Sequence, residues 1–248
     1  MMIKSKKFVI QKYIERPLLI EQKKFDIRLY IMISNTGKIY QYQEMYIRVS
    51  AYDYDLDNMQ KFGHLNNIAL QKYSNNYDGE KAVITTEKLQ EHVQAHGNPD
   101  FDFEIQIRPK LSHIIGILSS SLVEKFKPAS GVKKNFEIFG LDFMIDEDFG
   151  VWLIEANTNP ALSTGNSYLD QLIPRMMDDA WKMTLDKMFP PPKENSELTR
   201  FIGKDGVKDI INEYNSHVFP LLDHDHENNL WNLVSKKDIE NALKSNPN

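Results

Sequence analysis

The chain of 248 residues contains no cysteine, which excludes disulfide bridges, thiolate metal sites and a cysteine nucleophile. Its longest apolar stretch, near His113–Val123, is too short and too serine-rich to span a bilayer. The N-terminal sequence MMIKSKKFVI has no long apolar segment of the secretory type. Glycine-rich phosphate loops of the GxxxxGK[ST] and GxGxxG types are also absent. These absences predict a cytosolic protein, in which any nucleotide is held by a cleft built on a sheet.

The composition is that of an ordinary globular protein, with 41% hydrophobic and 26% charged residues. The net charge of −5 hides two segments that are rich in lysine and arginine, 1–30 and 105–134. If these segments meet in space, they form a basic surface that faces an anionic partner; scattered, solvated charges are an equally good interpretation. No nucleic-acid motif is present, and we expect neither nucleic acid nor membrane as a partner.

Periodicity and turn residues predict the order of the elements. Strands are predicted at Phe8–Ile14, Lys24–Ser34 and Lys38–Val49, with a turn at Asn35-Thr36-Gly37, and helices at Thr86–His96, Pro109–Phe126 and Tyr168–Met188, with Thr86 as an N-cap. Ala51–Gly79 is predicted to be a long polar loop. The run Pro190-Pro191-Pro192 predicts a boundary between a lobe at 1–192 and a polar, partly helical appendage at 193–248, with helices such as Asp205–Asn215 and Lys236–Leu243.

The segment Phe136–Leu162 carries the strongest chemical signal. Strands are predicted at Phe136–Ile145 and Val151–Asn157, joined by the acidic turn DEDFG. If this hairpin folds about Asp148–Phe149, Asp142 lies opposite Glu155 and Gly140 lies opposite Asn157. Side-chain alternation then puts Glu155 and Asn157 on one face, and Trp152, Ile154 and Ala156 on the other.

Asp142, Glu155 and Asn157 would therefore form a cluster of oxygen ligands beside a glycine. Mg²⁺ prefers such ligands and usually binds through one or two carboxylates plus substrate phosphates. A solvated polar face on a hairpin is the alternative. It is weakened because these residues interrupt otherwise apolar strands, where carboxylates need a cation or hydrogen-bond partners.

A second polar pattern is the segment Lys24-Phe25-Asp26-Ile27-Arg28. A period of two places Lys24, Asp26 and Arg28 on one face, and Arg48 on the third strand could join them. Such a group suits the binding of phosphate or carboxylate oxygens, and a cross-strand salt-bridge ladder is the alternative.

Two weaker signals complete the set. The adjacent amides of His64-Leu65-Asn66-Asn67, followed by Gln71-Lys72, could orient a phosphate, although asparagine-rich loops are more often plain turns. Gln11-Lys12-Tyr13-Ile14 ends the first predicted strand, where backbone groups could contact an adenine edge.

Taken in order, these motifs resemble the tubulin–tyrosine ligase-like family of ATP-grasp enzymes. The motifs are VIQKYIERPLLI, KFDIR, the Arg48 strand, HLNN with QK, and FGLDFMIDEDFGVWLIEANTNPAL. The resemblance covers about Phe8 to Pro192. It implies an α+β fold, the C-terminal ATP-grasp lobe, with a mostly antiparallel sheet and packed helices. Members join an amino acid (tyrosine, glutamate or glycine) to tubulin tails, using ATP and Mg²⁺ as cofactors.

The resemblance also implies roles by position. The segment that contacts adenine would be Gln11, Lys12, Tyr13 and Ile14, and the surroundings of the ribose and phosphates would include Lys24, Asp26 and Asn67. The catalytic residues that face the acceptor or the amino acid would be Arg28 and Arg48. The Mg²⁺ ligands would be Asp142, Glu155 and Asn157. The implied mechanism passes through an acyl phosphate, which an amine then attacks. The sequence Asn157-Thr158-Asn159-Pro160 is more similar to glutamylating and glycylating members than to the tyrosinating one.

The chain departs from the family pattern because it begins only ten residues before the adenine-contacting segment. We therefore expect the N-terminal and central lobes to be missing. One hypothesis is an ATP-dependent ligase acting on tubulin or another acidic protein tail, in the cytoplasm, at the cytoskeleton or cilium. The other is a catalytically inactive tubulin-binding module. A generic ligase for a small molecule is a third possibility.

Overall fold

The computed structural model describes residues 10–34, 37–125, 136–185 and 229–244. The strands are β1 (Leu19–Ile20), β2 (Lys23–Ser34), β3 (Ile39–Tyr42), β4 (Tyr46–Asp53), β5 (Val83–Ile84), β6 (Phe136–Ile145), β7 (Val151–Asn157) and β8 (Trp231–Leu233). The helices are α1 (Lys61–His64), α2 (Ile68–Gln71), α3 (Thr86–Ala95), α4 (Phe103–Gln106), α5 (Arg108–Lys125), α6 (Leu169–Met183) and α7 (Lys236–Lys244). No helix within these ranges is both long and apolar enough to cross a membrane.

The central strand β2, twelve residues long, organises a single eight-stranded sheet. Along one edge it pairs with β4 and then with β3, and along the other with β1 and then with β6. β7 extends the sheet beyond β6, β5 extends it beyond β4, and β8 extends it beyond β3. All these pairings are antiparallel, so the predicted α+β class with an antiparallel sheet is confirmed.

Helices cover both faces of this sheet, and alternation along β2 divides the side chains between them. Phe25, Ile27 and Leu29 enter one core, which α3, α4 and α5 cover. Tyr30 and Met32 enter the other core, which α6 covers. On this second face the apolar contacts stop near Tyr30, and the polar residues Arg28, Asp26 and Lys24 follow along the strand.

Several predicted elements are confirmed. β6 and β7 have the predicted bounds, β2 begins one residue early, and α5 is displaced by one residue at each end. The predicted third strand is divided into β3 and β4 by residues 43–45. In helix α3 the N-cap is Thr85, whose hydroxyl accepts from the backbone N–H of Lys88, rather than Thr86.

The strand predicted at Phe8–Ile14 is wrong for the residues that the structure describes. Residues 10–14 form no strand, because they add to neither edge of the sheet. The predicted loop at Ala51–Gly79 contains the end of β4 and the short helices α1 and α2. Helix α6 begins at Leu169, and the proline run after it lies outside the described residues.

The described part of the predicted appendage belongs to the same sheet as the lobe. β8 pairs with β3, and the Trp231 side chain is buried in the core under α6, where its ring lies 5.0 Å from the ring of Tyr42. Helix α7, close to its predicted bounds, packs on α5. The helix predicted at Asp205–Asn215 lies outside the described residues.

Candidate active site

The sheet register brings the predicted polar residues of four strands into one row. Asp26 lies opposite Arg48 across the β2–β4 pair, and Arg28 lies opposite Asp142 across the β2–β6 pair. Asp142 in turn lies opposite Glu155 on β7. Because directly opposed residues share a face of a sheet, these five side chains emerge on the same side.

Asp142 is the centre of this row. Its Oδ1 accepts from Nε of Arg28 at 2.5 Å, and its Oδ2 accepts from Nη2 of Arg28 at 3.0 Å. Nη2 of Arg48 lies 2.9 Å from the same Oδ2, and Arg48 also makes two hydrogen bonds to Asp26, at 2.6 and 2.8 Å. Arg28, Arg48 and Asp142 are each only 4% exposed. Four members of the row, two arginines and two aspartates, thus form a largely buried and charge-balanced set.

Burial alone would raise the pKa of the Asp142 carboxyl. The hydrogen bond from Arg28 and the charges of both arginines outweigh burial and hold this pKa below its ordinary value. Asp142 is therefore ionised at neutral pH. The contacts thus form the cross-strand salt-bridge ladder that was the alternative interpretation of the KFDIR segment. The same ladder fixes the orientation of Asp142, a predicted metal ligand.

Glu155 and Asn157 stand at the edge of the row. Glu155 is exposed, and Nδ2 of Asn157 donates to Oε1 of Glu155 at 3.1 Å and to Oδ2 of Asp142 at 3.3 Å. Two carboxylates thus converge on one positively polarised amide group. A rotation of this amide by about 180° would direct its oxygen at the same position and add a third oxygen ligand to the cluster.

This donor set fits a Mg²⁺ ion that takes its remaining ligands from substrate phosphates. Among the described residues, no group of three or more histidine, aspartate or glutamate side chains could hold a metal ion. The predicted set has two carboxylates and an amide, so it remains a prediction.

The predicted hairpin register is confirmed for Asp142–Glu155 and Gly140–Asn157. The predicted face of Trp152 is wrong, because a bulge after Asp142 shifts the register by one residue. Trp152 lies opposite Met144 and hence on the face of Glu155. Its indole N–H donates to Oδ2 of Asp146 at 2.7 Å, and 52% of the residue is exposed.

The segment Gln11–Ile14 lines a cavity of about 470 Å³. Residues 152–154 of β7 and the turn residues 146–148 form the opposite wall. Trp152, Ile154 and Tyr13 supply partly exposed apolar surface there, and Ile154 directly precedes Glu155 on β7. The segment predicted to contact adenine therefore faces a cavity on the strand that also carries a predicted metal ligand.

Lys24 lies on the same face of β2, where only 7% of it is exposed. Its Nζ donates to the carbonyl oxygen of His64 at 2.6 Å and to the hydroxyl of Tyr13 at 3.4 Å. Burial lowers the pKa of the Lys24 ammonium, and the charge of Asp26 partly offsets this effect.

The two amides of the HLNN motif hold backbone groups. Asn66 is buried, and its Nδ2 donates to the carbonyl oxygens of Lys24 and Arg48, at 2.7 and 3.1 Å. Asn67 is exposed and caps α2, accepting from the N–H of Ala69. Gln71 similarly bonds the backbone of Phe62, Leu65 and Ala51. A phosphate contact for Asn67 stays a prediction.

Sequence reasoning missed a clasp that holds the chain after Asn157. The carboxylate of Glu80 accepts from the N–H and hydroxyl of Ser167, at 3.0 and 2.6 Å, and from Nδ2 of Asn166 at 3.4 Å. Nearer to the metal ligands, Pro160 covers Gly140, where an added Cβ would lie 2.8 Å from Cβ of Pro160. These contacts join residues that are far apart in sequence, so the periodicity of side chains along a single strand or helix could not predict them.

A sequence model of the Tubulin-tyrosine ligase family matches residues 1–197. The chain belongs to this family. The matched range includes the whole range, Phe8 to Pro192, over which the motifs resemble the family, and this supports the predicted ATP-grasp lobe.

Curated relatives give a narrower comparison within the tubulin–tyrosine ligase family. The chain is 32% identical to Tubulin glycylase 3B of Tetrahymena thermophila over 74% of this chain and 16% of the relative. It is 33% identical to Tubulin glycylase 3A of Drosophila melanogaster over 77% of this chain and 20% of the relative. It is 32% identical to human Protein monoglycylase TTLL8 over 79% of this chain and 25% of the relative. The chain thus spans a quarter or less of the length of these relatives.

Proposed function

We propose that this chain is the nucleotide- and metal-binding lobe of an ATP-dependent ligase that adds glycine to tubulin tails. The row of Asp142, Arg28 and Arg48, with Glu155 and Asn157 at its edge, carries the proposal. This row has the donor set and the charge balance that a metal–phosphate site needs, and it lies on a face whose cavity suits a nucleotide base. The names of the relatives favour glycine over glutamate and tyrosine.

Asp142, Glu155 and Asn157 would hold the Mg²⁺ ion. When bound, Mg²⁺ offsets charge on the phosphate oxygens during transfer. Arg28 and Arg48 orient Asp142 and keep it ionised, since both guanidinium groups contact its carboxylate. Their contact with the acceptor or amino acid stays a prediction.

The chemistry that these residues would serve is carboxylate activation. ATP transfers its terminal phosphoryl group to a side-chain carboxylate of the acidic tail, and the amine of glycine then attacks the acyl phosphate. An isopeptide bond forms and phosphate leaves. Lys24, a buried cation on the same face, would contribute a positive charge toward the phosphates.

Titration calorimetry of the full chain with Mg-ATP tests the nucleotide and metal assignment. We expect Glu155→Gln to weaken Mg-ATP binding by at least about tenfold, as for other losses of metal-site contacts, and to change binding of ATP in EDTA much less. Glu240→Gln, an exposed residue of α7 outside the cavity, is the matched control and should bind like the wild type. Equal Mg-ATP affinity in Glu155→Gln and the wild type would contradict the metal assignment.

Incorporation of labelled amino acids into tubulin tests the ligase assignment. With ATP and Mg²⁺ present, the ligase that contains this lobe should incorporate glycine in preference to glutamate and tyrosine. Preferred incorporation of either other amino acid would contradict the proposed specificity.

The alternative of a binding module for acidic tails has less support. Arg28 and Arg48 are buried and neutralised by aspartates, and Arg16 is paired with Glu147 on the hairpin turn. These three cations are therefore engaged within the chain. A salt-sensitive complex with an acidic tail peptide, formed without ATP, would favour this alternative.

A further inference from the structure

The ammonium group of Lys24 is held by two neutral oxygens rather than by a carboxylate. These are the carbonyl oxygen of His64 and the hydroxyl oxygen of Tyr13, and the ammonium also lies 5.4 Å from the centre of the Tyr13 ring. Within the described part of the chain, no carboxylate oxygen lies within 4.0 Å of it. An ammonium has three donors, so this arrangement leaves the positive charge available to an anionic ligand.

The contacts of the His64 ring decide which way the hydrogen bonds point. Its Nε2 lies 2.9 Å from the carbonyl oxygen of Asp55 and 3.2 Å from that of Asn58. Carbonyl oxygens only accept, so Nε2 carries a proton. In the neutral imidazole Nδ1 is then an acceptor, and the Tyr13 hydroxyl, 2.9 Å away, must donate to it.

The hydroxyl proton of Tyr13 is thus directed at His64, and its lone pairs are left for Lys24. Burial, followed by the influence of Tyr54, raises the pKa of the Tyr13 phenol to about 12. The phenol therefore stays protonated at neutral pH, as a donor to His64 and an acceptor from Lys24. The directed chain runs from Lys24 through Tyr13 to His64 and ends on two loop carbonyl groups.

We propose that Tyr13 and His64 are positioning residues that hold the Lys24 ammonium in place for a phosphate group. The proposal rests on the proposed function for the identity of the ligand, but the hydrogen-bond chain itself can be tested without nucleotide. The proposal gives a shared role to the tyrosine of the Gln11–Ile14 segment and the histidine of the HLNN motif. Asn66 of the HLNN motif instead binds the backbone carbonyl group of Lys24.

Four variants separate the links of this chain. Tyr13→Phe removes the oxygen that accepts from Lys24. His64→Gln keeps a polar group near the position of Nε2 but loses the acceptor at Nδ1, and His64→Asn keeps an acceptor near Nδ1. Tyr73→Phe is the matched control, because this tyrosine is 73% exposed and its ring lies near the ammonium of Lys72 rather than that of Lys24.

The first readout is the rate at which Lys24 is acetylated by acetic anhydride in the full chain without nucleotide, followed by peptide mass spectrometry. Exposed Lys88 provides the internal reference. We expect about tenfold faster labelling of Lys24 in Tyr13→Phe and His64→Gln, the scale of one hydrogen bond to a charged group. His64→Asn and Tyr73→Phe should label like the wild type. The double variant Tyr13→Phe/His64→Gln should label no faster than either single variant.

The second readout is ATP affinity, which should fall about tenfold in the same two variants. If labelling follows the expected pattern but the wild type binds no ATP, the positioning role stands and the proposed function fails. Unchanged Lys24 labelling in Tyr13→Phe overturns the positioning role. Circular dichroism checks folding, and if a His64 variant is unfolded, the conservative Tyr13→Phe variant decides the question alone.

Discussion

Replacing Asp142 with asparagine removes the negative charge at the centre of the buried row while keeping its shape. Within the described residues, Asp142 is the carboxylate that pairs with Arg28, whereas Arg48 retains Asp26. The substitution therefore leaves one guanidinium group buried without an anionic partner. Removing one member of a buried ion pair destabilises a protein by about 3–5 kcal/mol. Asparagine keeps one acceptor oxygen, so we expect the lower end, a loss of about 3 kcal/mol in the free energy of unfolding.

Urea denaturation, followed by tryptophan fluorescence, measures this loss. With an m-value of about 2 kcal/mol/M, the midpoint should fall by about 1.5 M. The control is Glu147→Gln, which breaks an ion pair of the same charge types between side chains that are 69% and 46% exposed. That variant should lose less than about 1 kcal/mol.

A compensating substitution separates the charge effect from a packing effect. Arg28→Gln in the Asp142→Asn background removes the buried charge that has lost its partner. The double variant should be more stable than the Asp142→Asn single variant, because a buried cation without a partner contributes more to the loss than the missing pair does. The reasoning about the row is refuted if the losses of the two substitutions are additive. It is also refuted if the free energy of unfolding of Asp142→Asn lies within about 0.5 kcal/mol of the wild-type value.

Three further predictions follow from the same structure. The pKa of Asp142 is lower in the folded chain than in the unfolded chain. The carboxylate therefore stabilises the fold at a pH above its unfolded pKa, and this stabilisation is lost as the pH falls through the folded pKa. The difference in unfolding free energy between the wild type and Asp142→Asn should shrink below about pH 4, and a pH-independent difference would contradict this. Gly140→Ala puts a Cβ 2.8 Å from Cβ of Pro160, so urea denaturation should show a loss of about 1–3 kcal/mol from overpacking; an unchanged midpoint would show that the loop yields freely. Trp231→Ala should lose about 3–5 kcal/mol, whereas Leu233→Ala, on the same strand but 48% exposed, should lose less than about 1 kcal/mol; equal losses would argue against the docking of β8 on the sheet.

Residues close in sequence were well placed by local rules. The alternation of apolar and polar residues within β6 and β7, with a turn of fixed length between them, determined that Asp142 faces Glu155. A hairpin has one register that satisfies both the turn and the buried face. The same rule placed Lys24, Asp26 and Arg28 together. It failed at Trp152, because a bulge inserts one residue into the ladder and reverses the alternation beyond it.

Tertiary structure alone decided how the separate motifs meet. Strands far apart in sequence pair with opposite edges of β2, and this pairing brings Arg48 of β4 and Asp142 of β6 within hydrogen-bond distance. The sequence by itself determined which side chains could form an anion and metal site and on which face of each strand they lie. Only the tertiary structure decided that both arginines contact and orient Asp142. It also decided that Tyr13 and His64 contact the Lys24 ammonium, and that β8 pairs with the free edge of β3. The physical reason is that alternation is a property of one strand, whereas the choice of partner depends on burial and hydrogen bonding over the whole chain.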